Sequence, residues 1–209
     1  MQPLWDRHVQ EQRRISMLDQ WNTWKQLETV SLGSSEGGVI HSVTITEPKV
    51  QESGRSIVPE PVKLDGYPVL GVLSIEALNM EEPIVEGADP ESLKTGVGTV
   101  VPGRSPGSTG NYVIAGHRSW TYGKQFSRLD ELAAGDSIKL DTRDDTYVYS
   151  VTSKFLVKPD DLSVLEQSKD KAELTLITCE PKYNPTHRLI VKAVLMEKPC
   201  NEARGEMKQ

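Results

Sequence analysis

The chain has 209 residues, which is enough for one sizeable domain with its own hydrophobic core. Its 30 acidic and 24 basic residues give a net charge of -6, which argues against a nucleic-acid binder because such proteins usually present a basic surface. The longest apolar stretches are Val69–Ile75 and Leu189–Met196. Both are far shorter than the ~20 residues that a membrane-spanning helix needs, and no signal peptide is visible.

The amino-terminal segment predicts a helix. Apolar residues recur at helical spacing between Trp5 and Leu27, glycine is absent, and three of the four tryptophans lie there. Such a helix either packs on its own domain or forms a stalk beside a membrane anchor that precedes it. A run rich in glycine and serine at residues 32–38 predicts a linker after the helix.

Short β-type segments dominate the rest of the chain. Residues 39–67 carry Pro48, Pro59 and Pro61 and predict one or two strands with long loops. From Pro68 onward the predicted strands are Val69–Ile75, Tyr112–His117, Ser137–Asp141, Thr146–Val157, Glu173–Cys179 and Arg188–Met196. Short helical pieces are predicted at Pro90–Lys94, Gln125–Leu132 and Asp160–Gln167. Many strands with few helices favour a closed or nearly closed β-barrel.

Three residues at predicted strand ends carry chemistry. Cys179 and His117 each end a strand, and Arg188 begins one. Taken singly, the cysteine is typical of a small buried hydrophobe, the histidine of a structural residue and the arginine of a surface charge. Taken together at one rim of a barrel, they supply a nucleophile, a group that transfers protons and a cation that stabilises an oxyanion.

The sequence does not establish a disulfide, and it contains no zinc-binding motif. Cys179 and Cys200 are the two cysteines, and the sequence alone cannot establish a bond between them. The four histidines are too scattered to form a zinc motif. Cys200 lies near a polar tail and has no predicted catalytic role.

Around these three residues, the sequence resembles the sortase family. TLITC at residues 175–179 matches the cysteine signature, THRLIV at residues 186–191 the arginine signature, and GNYVIAGHR at residues 110–118 the histidine motif. The likeness spans Pro68 to Met196 and is greatest to class D, with class E next. It implies a closed eight-stranded barrel with short helices and an amino-terminal helix. The implied domains are a helix and linker at 1–38, a catalytic barrel at 39–198 and a tail at 199–209.

The resemblance implies a cysteine transpeptidase. Cys179 would attack the threonine carbonyl of a Leu-Pro-x-Thr-Gly-like sorting signal, His117 would protonate the leaving amine, and Arg188 would hold the oxyanion or the substrate backbone. The acyl group would pass to an amine of a peptidoglycan precursor, on the extracellular face of a Gram-positive membrane. Strand alternation places apolar neighbours beside these residues. The predicted substrate-binding set is Ala115, Ile177, Thr178 and Ile190.

Two expectations concern pKa values and metals. With an ordinary thiol pKa of ~8.5 and an imidazole pKa of ~6.5, the reactive thiolate–imidazolium pair is a minority form and predicts a bell-shaped rate profile. No cofactor is expected. Some class A sortases use calcium, so the loop carboxylates are weighed as ligands and expected to be solvated instead: Glu76, Glu81, Glu82, Asp160, Asp161 and Glu166.

Two other functions are compatible with the same residues. One is a cysteine endopeptidase that acts mainly as a hydrolase, because hydrolysis and transpeptidation need the same three side chains. The other is a catalytically silent barrel that binds cell-wall components.

Overall fold

A computed structural model describes residues 11–23, 25, 63–64, 66–118 and 124–196. The helices are α1 at residues 11–23 and α2 at Ser92–Thr95, and single 3₁₀ turns lie at Glu76–Leu78, Leu129–Glu131 and Leu162–Leu165. The strands are β1 (Lys63–Leu64), β2 (Tyr67–Ile75), β3 (Met80–Val85), β4 (Val97–Thr99), β5 (Gly110–Ala115), β6 (Ser137–Thr142), β7 (Thr146–Val157), β8 (Ala172–Glu180) and β9 (His187–Leu195).

Eight of the strands close into a barrel. Their order is β2-β3-β4-β5-β8-β9-β7-β6, and β2 also pairs with β6 to complete the ring. The closing ladder includes Gly71 opposite Thr142 and Leu73 opposite Leu140. The two-residue β1 extends from β2 outside this ring. The predicted closed eight-stranded barrel is therefore confirmed.

The six predicted strands are all present, but two barrel strands are not among the predictions and several predicted ends differ by one or two residues. Glu81, Glu82 and Pro83 interrupt the apolar pattern of β3, and β4 has only three residues. β5 ends at Ala115, so His117 lies just beyond its strand rather than at its last position. The predicted helical pieces reduce to α2 and two of the 3₁₀ turns.

Alternation along β8 and β9 separates the core from the outer face of the barrel. Leu174 and Leu176 of β8, with Leu189 and Val191 of β9, point into the main hydrophobic core. The intervening residues therefore face outward. This outward face of β5, β8 and β9 carries the candidate site.

A bulge in β7 changes which of its residues face the core. Tyr149 and Val151 are buried in the barrel interior, and the register then shifts between Val151 and Ser153. One extra residue moves every later side chain to the other face. Phe155 consequently pairs with Ile190 on the outer face.

Helix α1 packs on the outside of the barrel at β2. Met17 and Trp21 are 1% and 2% exposed and form a small second core with Val69 and Val72. The Trp21 Nε1 donates to Asp141 Oδ2 at 3.2 Å. In the ring, β2 lies diametrically opposite β8, so α1 and the outer face of β8 lie on opposite sides of the barrel.

Several sequence predictions lie outside the described residues. They are the amino-terminal helix positions Trp5 and Leu27, the linker at 32–38, most of the 39–67 segment, Cys200 and the tail at 199–209. In the part of the chain that is described, no helix combines the length and apolar character that crossing a membrane requires.

We predict that Met17→Ala lowers the free energy of unfolding by about 2–4 kcal/mol, because it removes a fully buried side chain from the contact between α1 and β2. Urea unfolding measures this change. Ile15→Ala is the matched control, since Ile15 is 42% exposed on the same helix and should change stability by less than ~0.5 kcal/mol. Equal effects of the two substitutions would contradict the packing role of α1.

Candidate active site

The pairing of β8 with β9 brings the cysteine and the arginine together. Cys179 and Arg188 are direct partners in this antiparallel ladder, so both side chains leave the sheet on its outer face. Cys179 is a half-buried free thiol. Arg188 donates from Nη1 to the His187 carbonyl oxygen at 3.3 Å. A guanidinium has five N–H donors, so Arg188 retains donors for an oxygen of a bound substrate.

The pairing of β5 with β8 brings the histidine to the other side of the cysteine. The two strands are parallel, and their last paired residues are Ala115 and Ile177. The pairing continues for one residue, because the Gly116 N–H donates to the Ile177 carbonyl oxygen at 3.1 Å. His117 and Cys179 therefore occupy equivalent positions, each two residues beyond this last pair. The order across the sheet is His117, Cys179, Arg188.

Glycine precedes the histidine because the barrel leaves no space there. A β-carbon on Gly116 would lie 2.8 Å from the Phe126 ring and 3.0 Å from Val97 Cγ1, and the phenylalanine is fully buried. The Phe126 N–H donates to the His117 carbonyl oxygen at 3.2 Å. Close packing and hydrogen bonds thus fix the position of the backbone at His117.

Partial burial lowers the pKa of His117 below the ordinary imidazole value. The cause is desolvation, which disfavours the charged imidazolium. The neutral ring is therefore the resting form at neutral pH. This neutral imidazole can accept the thiol proton, and the imidazolium that results is a stronger acid than usual.

An apolar row lies one pleat below the three polar residues. Ala115, Ile177 and Ile190 are successive partners across β5, β8 and β9, and Phe155 of β7 continues the row beyond Ile190. The first three belong to the set of four predicted to bind substrate; Ala115 and Ile177 are partly exposed, whereas Ile190 is 0% exposed. Phe155 was missed, since simple alternation along β7 places it in the core and only the bulge turns it outward. It is 40% exposed.

Thr178 differs from the rest of the predicted binding set. Its side chain is 2% exposed and faces the interior, and its hydroxyl donates to the Gly116 carbonyl oxygen at 2.8 Å. The structure thus brings this side chain to the backbone before His117 rather than to the apolar row. The hydroxyl links the cysteine strand to the histidine strand.

The segment between β7 and β8 is hydrogen-bonded to the sheet on the side of the apolar row away from Cys179. Asn111 at the start of β5 donates from Nδ2 to the Val164 and Glu166 carbonyl oxygens at 2.9 and 3.0 Å. Its Oδ1 accepts from the Thr175 hydroxyl at 2.6 Å, and Arg104 donates to the Leu165 carbonyl oxygen at 2.8 Å. These buried hydrogen bonds hold the Leu162–Leu165 turn over the outer face of the sheet.

Two of the carboxylates weighed as metal ligands have other partners. Glu82 is 2% exposed and accepts from the Gln125 N–H at 2.7 Å, and burial raises the pKa of this carboxyl. Asp161 accepts from the Ser163 N–H at the start of a 3₁₀ turn. Across the described residues, no group of three or more His, Cys, Asp and Glu side chains is arranged to hold a metal ion.

The fold and the three-residue geometry have a counterpart among known protein families. The family model described as Sortase domain matches residues 73–196, which is more than half of the chain and includes His117, Cys179 and Arg188. The chain belongs to the sortase family. Its matched region begins within β2 and ends just after β9, so the family match coincides with the barrel.

Individual sortases are similar over more than half of this chain. Sortase D of Bacillus subtilis (strain 168) is 36% identical over 111 residues, covering 53% of this chain and 54% of that protein. Sortase A of Bacillus anthracis is 35% identical over 133 residues, covering 64% of this chain and 62% of that protein. The chain thus spans less than two thirds of these curated relatives.

Solved sortase structures share the architecture. A Sortase D5 transpeptidase of Clostridium perfringens has a TM-score of 0.56 at 32% identity, with 62% of this chain and 79% of that chain covered. Sortase A from Corynebacterium diphtheriae has a TM-score of 0.60 at 30% identity, with 65% of this chain and 64% of that chain covered. The barrel of this sortase is therefore that of the family.

The lowered pKa of His117 predicts the acid side of the pH profile. Because burial disfavours the imidazolium, we expect the ring to titrate with a midpoint below ~6.5. The folded protein then binds fewer protons than the unfolded chain, so the stability contributed at His117 is lost as pH falls below ~6.5. An NMR titration of the histidine rings, with His117→Asn for assignment, measures this midpoint. A midpoint above ~6.5 would contradict the desolvation.

Proposed function

We propose that this sortase is a cysteine transpeptidase that cleaves a Leu-Pro-x-Thr-Gly-like sorting signal between threonine and glycine. The observation that carries the proposal is the strand register, which aligns His117, Cys179 and Arg188 on adjacent strands of one exposed face. A thiol between an imidazole and a guanidinium has what acyl transfer requires: a nucleophile, a proton carrier and a cation for the oxyanion.

The reaction proceeds in two acyl transfers. Cys179 Sγ, having given its proton to His117, attacks the threonine carbonyl carbon, and Arg188 donates to the oxygen that becomes negative. The carbon–nitrogen bond then breaks as His117 returns the proton to the leaving glycine amine, which leaves a thioester on Cys179. An incoming amine attacks this thioester, gives a proton to His117 and releases the thiol. Water in the same role yields the acid.

The apolar row supports binding of the leucine and proline of the signal. Ala115 and Ile177 are partly exposed beside Cys179 and Phe155 is 40% exposed, whereas Ile190, which pairs with both Ile177 and Phe155, is fully buried. A peptide with its threonine carbonyl at the thiol lays its preceding residues along this row. Burial of their side chains then supplies binding free energy of about 25 cal/mol for each Å² of apolar surface. Thr178 contributes by fixing the Gly116 backbone.

We propose the finer assignments on the same basis. Similarity to Sortase D of Bacillus subtilis supports class D, with class E as the neighbouring class. Sortases are cell-surface enzymes, so the substrates are secreted proteins that carry the signal, the amine belongs to a peptidoglycan precursor, and the barrel works outside a Gram-positive membrane. The helix and linker at 1–38, the catalytic domain at 39–198 and the tail at 199–209 remain the proposed division of the chain.

Mass spectrometry with a signal peptide tests whether Cys179 is the nucleophile. Intact mass after mixing with a Leu-Pro-x-Thr-Gly peptide should show an acyl adduct that is absent in Cys179→Ala. Adding an amine should yield a product that carries it. Arg188→Ala should slow adduct formation by about 10²–10³-fold, because an oxyanion donor is lost. An adduct that releases only acid with every amine would favour the hydrolase, and no adduct over a panel of signals would refute the proposal.

The second prediction tests the apolar row. Phe155→Ala should raise the KM for the signal peptide about fivefold, which corresponds to a loss of ~1 kcal/mol of apolar contact, while kcat stays within about twofold. Leu156→Ala is the matched control, since the next residue on β7 is more exposed and lies on the other face. Steady-state kinetics measures both variants. An unchanged KM in Phe155→Ala would remove β7 from the binding surface.

A further inference from the structure

A partly buried ion pair joins the two residues that directly follow the histidine and the cysteine. Arg118 follows His117, Glu180 follows Cys179, and the Arg118 Nη1 pairs with Glu180 Oε2. The Arg118 side chain is only 7% exposed, and that of Glu180 is 25% exposed. A charge-assisted pair of this kind is stronger and more directional than a bond between neutral groups.

This ion pair extends the connection between the two strand ends past the last ladder bonds. Glu180 follows Cys179 within β8, so its side chain leaves the sheet on the face opposite the thiol. The preceding links between the strands are the Gly116 N–H to the Ile177 carbonyl and the Thr178 hydroxyl to the Gly116 carbonyl. The ion pair adds a third link at the level of His117 and Cys179 themselves.

A third group anchors Arg118 to the barrel wall. Its Nη2 lies 2.9 Å from Asp130 Oδ1, in the 3₁₀ turn whose neighbours Leu129 and Leu132 are buried in the core. Lys154 of β7 donates to the Leu132 carbonyl oxygen at 2.7 Å and also bonds the Asp130 carbonyl. Arg118 thus connects β5, β8 and a turn that is itself held to β7.

Such an arrangement contributes more to geometry than to stability. Burying charges costs desolvation energy that their mutual attraction repays only in part, so replacing both partners of a buried pair by apolar residues is often neutral for stability. Removing one partner alone leaves an unpaired charge and lowers stability, so acylation rates are compared in variants shown to be folded. Proton transfer is much more sensitive to position, and a displacement of about 1 Å can cost about 10²-fold in rate. An ion pair attached to the backbone of both reacting residues controls their separation.

We propose that Arg118 and Glu180 are positioning residues that hold the His117 imidazole at the distance from Cys179 at which it protonates the leaving amine. This inference rests on the proposed acyl transfer. It assigns the ion pair to one step, the cleavage of the carbon–nitrogen bond with proton delivery from His117. An amide and a thioester substrate both require the Cys179 thiol to lose its proton before attack, and that fast proton equilibrium is the same for the two. Only the amide also requires a proton from His117 on its leaving group, because carbon–sulfur cleavage of a thioester releases a thiolate, so the thioester isolates the delivery step.

The experiment compares two substrates in single-turnover acylation. One is the signal peptide, and the other replaces its threonine–glycine amide with a thioester. In Glu180→Gln we expect acylation by the amide to slow about tenfold or more and acylation by the thioester to stay within about threefold of the wild type. Arg118→Lys keeps the buried charge but loses the two-pronged geometry, and should show the same selective loss.

Glu173→Gln is the matched control, because Glu173 lies on the same strand and pairs with Lys192 at 3.7 Å. It should leave both acylation rates within about twofold of the wild type, because a weak surface ion pair contributes little free energy. Equal slowing of both substrates in the folded variants, or amide rates near the wild-type value, would overturn the positioning role. A wild-type protein inert towards both substrates would instead mean that the proposed transpeptidase function has failed, and the inference with it.

Discussion

The parallel ladder between β5 and β8 constrains everything at the candidate site. Parallel strands cannot be joined by a tight turn, so the chain forms β6 and β7 before it returns as β8 to the side of β5. The same strand then turns back directly into β9. A residue on β8 therefore has neighbours from a distant segment on one side and from a nearby one on the other. Cys179 occupies this central place, between the histidine and the arginine.

Buried polar groups secure this arrangement where apolar packing alone would not specify it. Thr175 donates to Asn111, Asn111 donates to the Val164 carbonyl oxygen in the turn before β8, and Thr178 donates to the Gly116 carbonyl oxygen. Each of these side chains is at least 98% buried, so an unmatched donor or acceptor would cost about 1–3 kcal/mol. Satisfied pairs of this kind make one register and one loop position preferable to the alternatives.

The outer face of the barrel is divided between two tasks. Helix α1 covers β2 on one side through Met17 and Trp21, whereas the outer face of β5, β8 and β9 on the opposite side bears the candidate site. A salt bridge of 2.5 Å between Glu11 and Lys124 also links the helix to the segment that follows the histidine. Of the roles open to this helix on sequence grounds, packing on its own domain is the one that the structure displays.

The barrel class, six of its strands and the candidate residues Cys179, His117 and Arg188 could be predicted from the sequence, because strand alternation and the motifs around these residues are local in the chain. Strand β3 was not predicted because Glu82 interrupts its apolar pattern. The Gln125 N–H that bonds the buried Glu82 carboxylate is distant in sequence and is brought there by the fold. Phe155 was not predicted at the site because the bulge in β7 turns its side chain to the outer face. Thr178 was predicted to bind substrate, but its hydroxyl faces inward. Strand pairing, the shift in register and the acceptor of each buried hydroxyl depend on contacts between residues that are far apart in the sequence. They were decided only when distant segments closed into one ring.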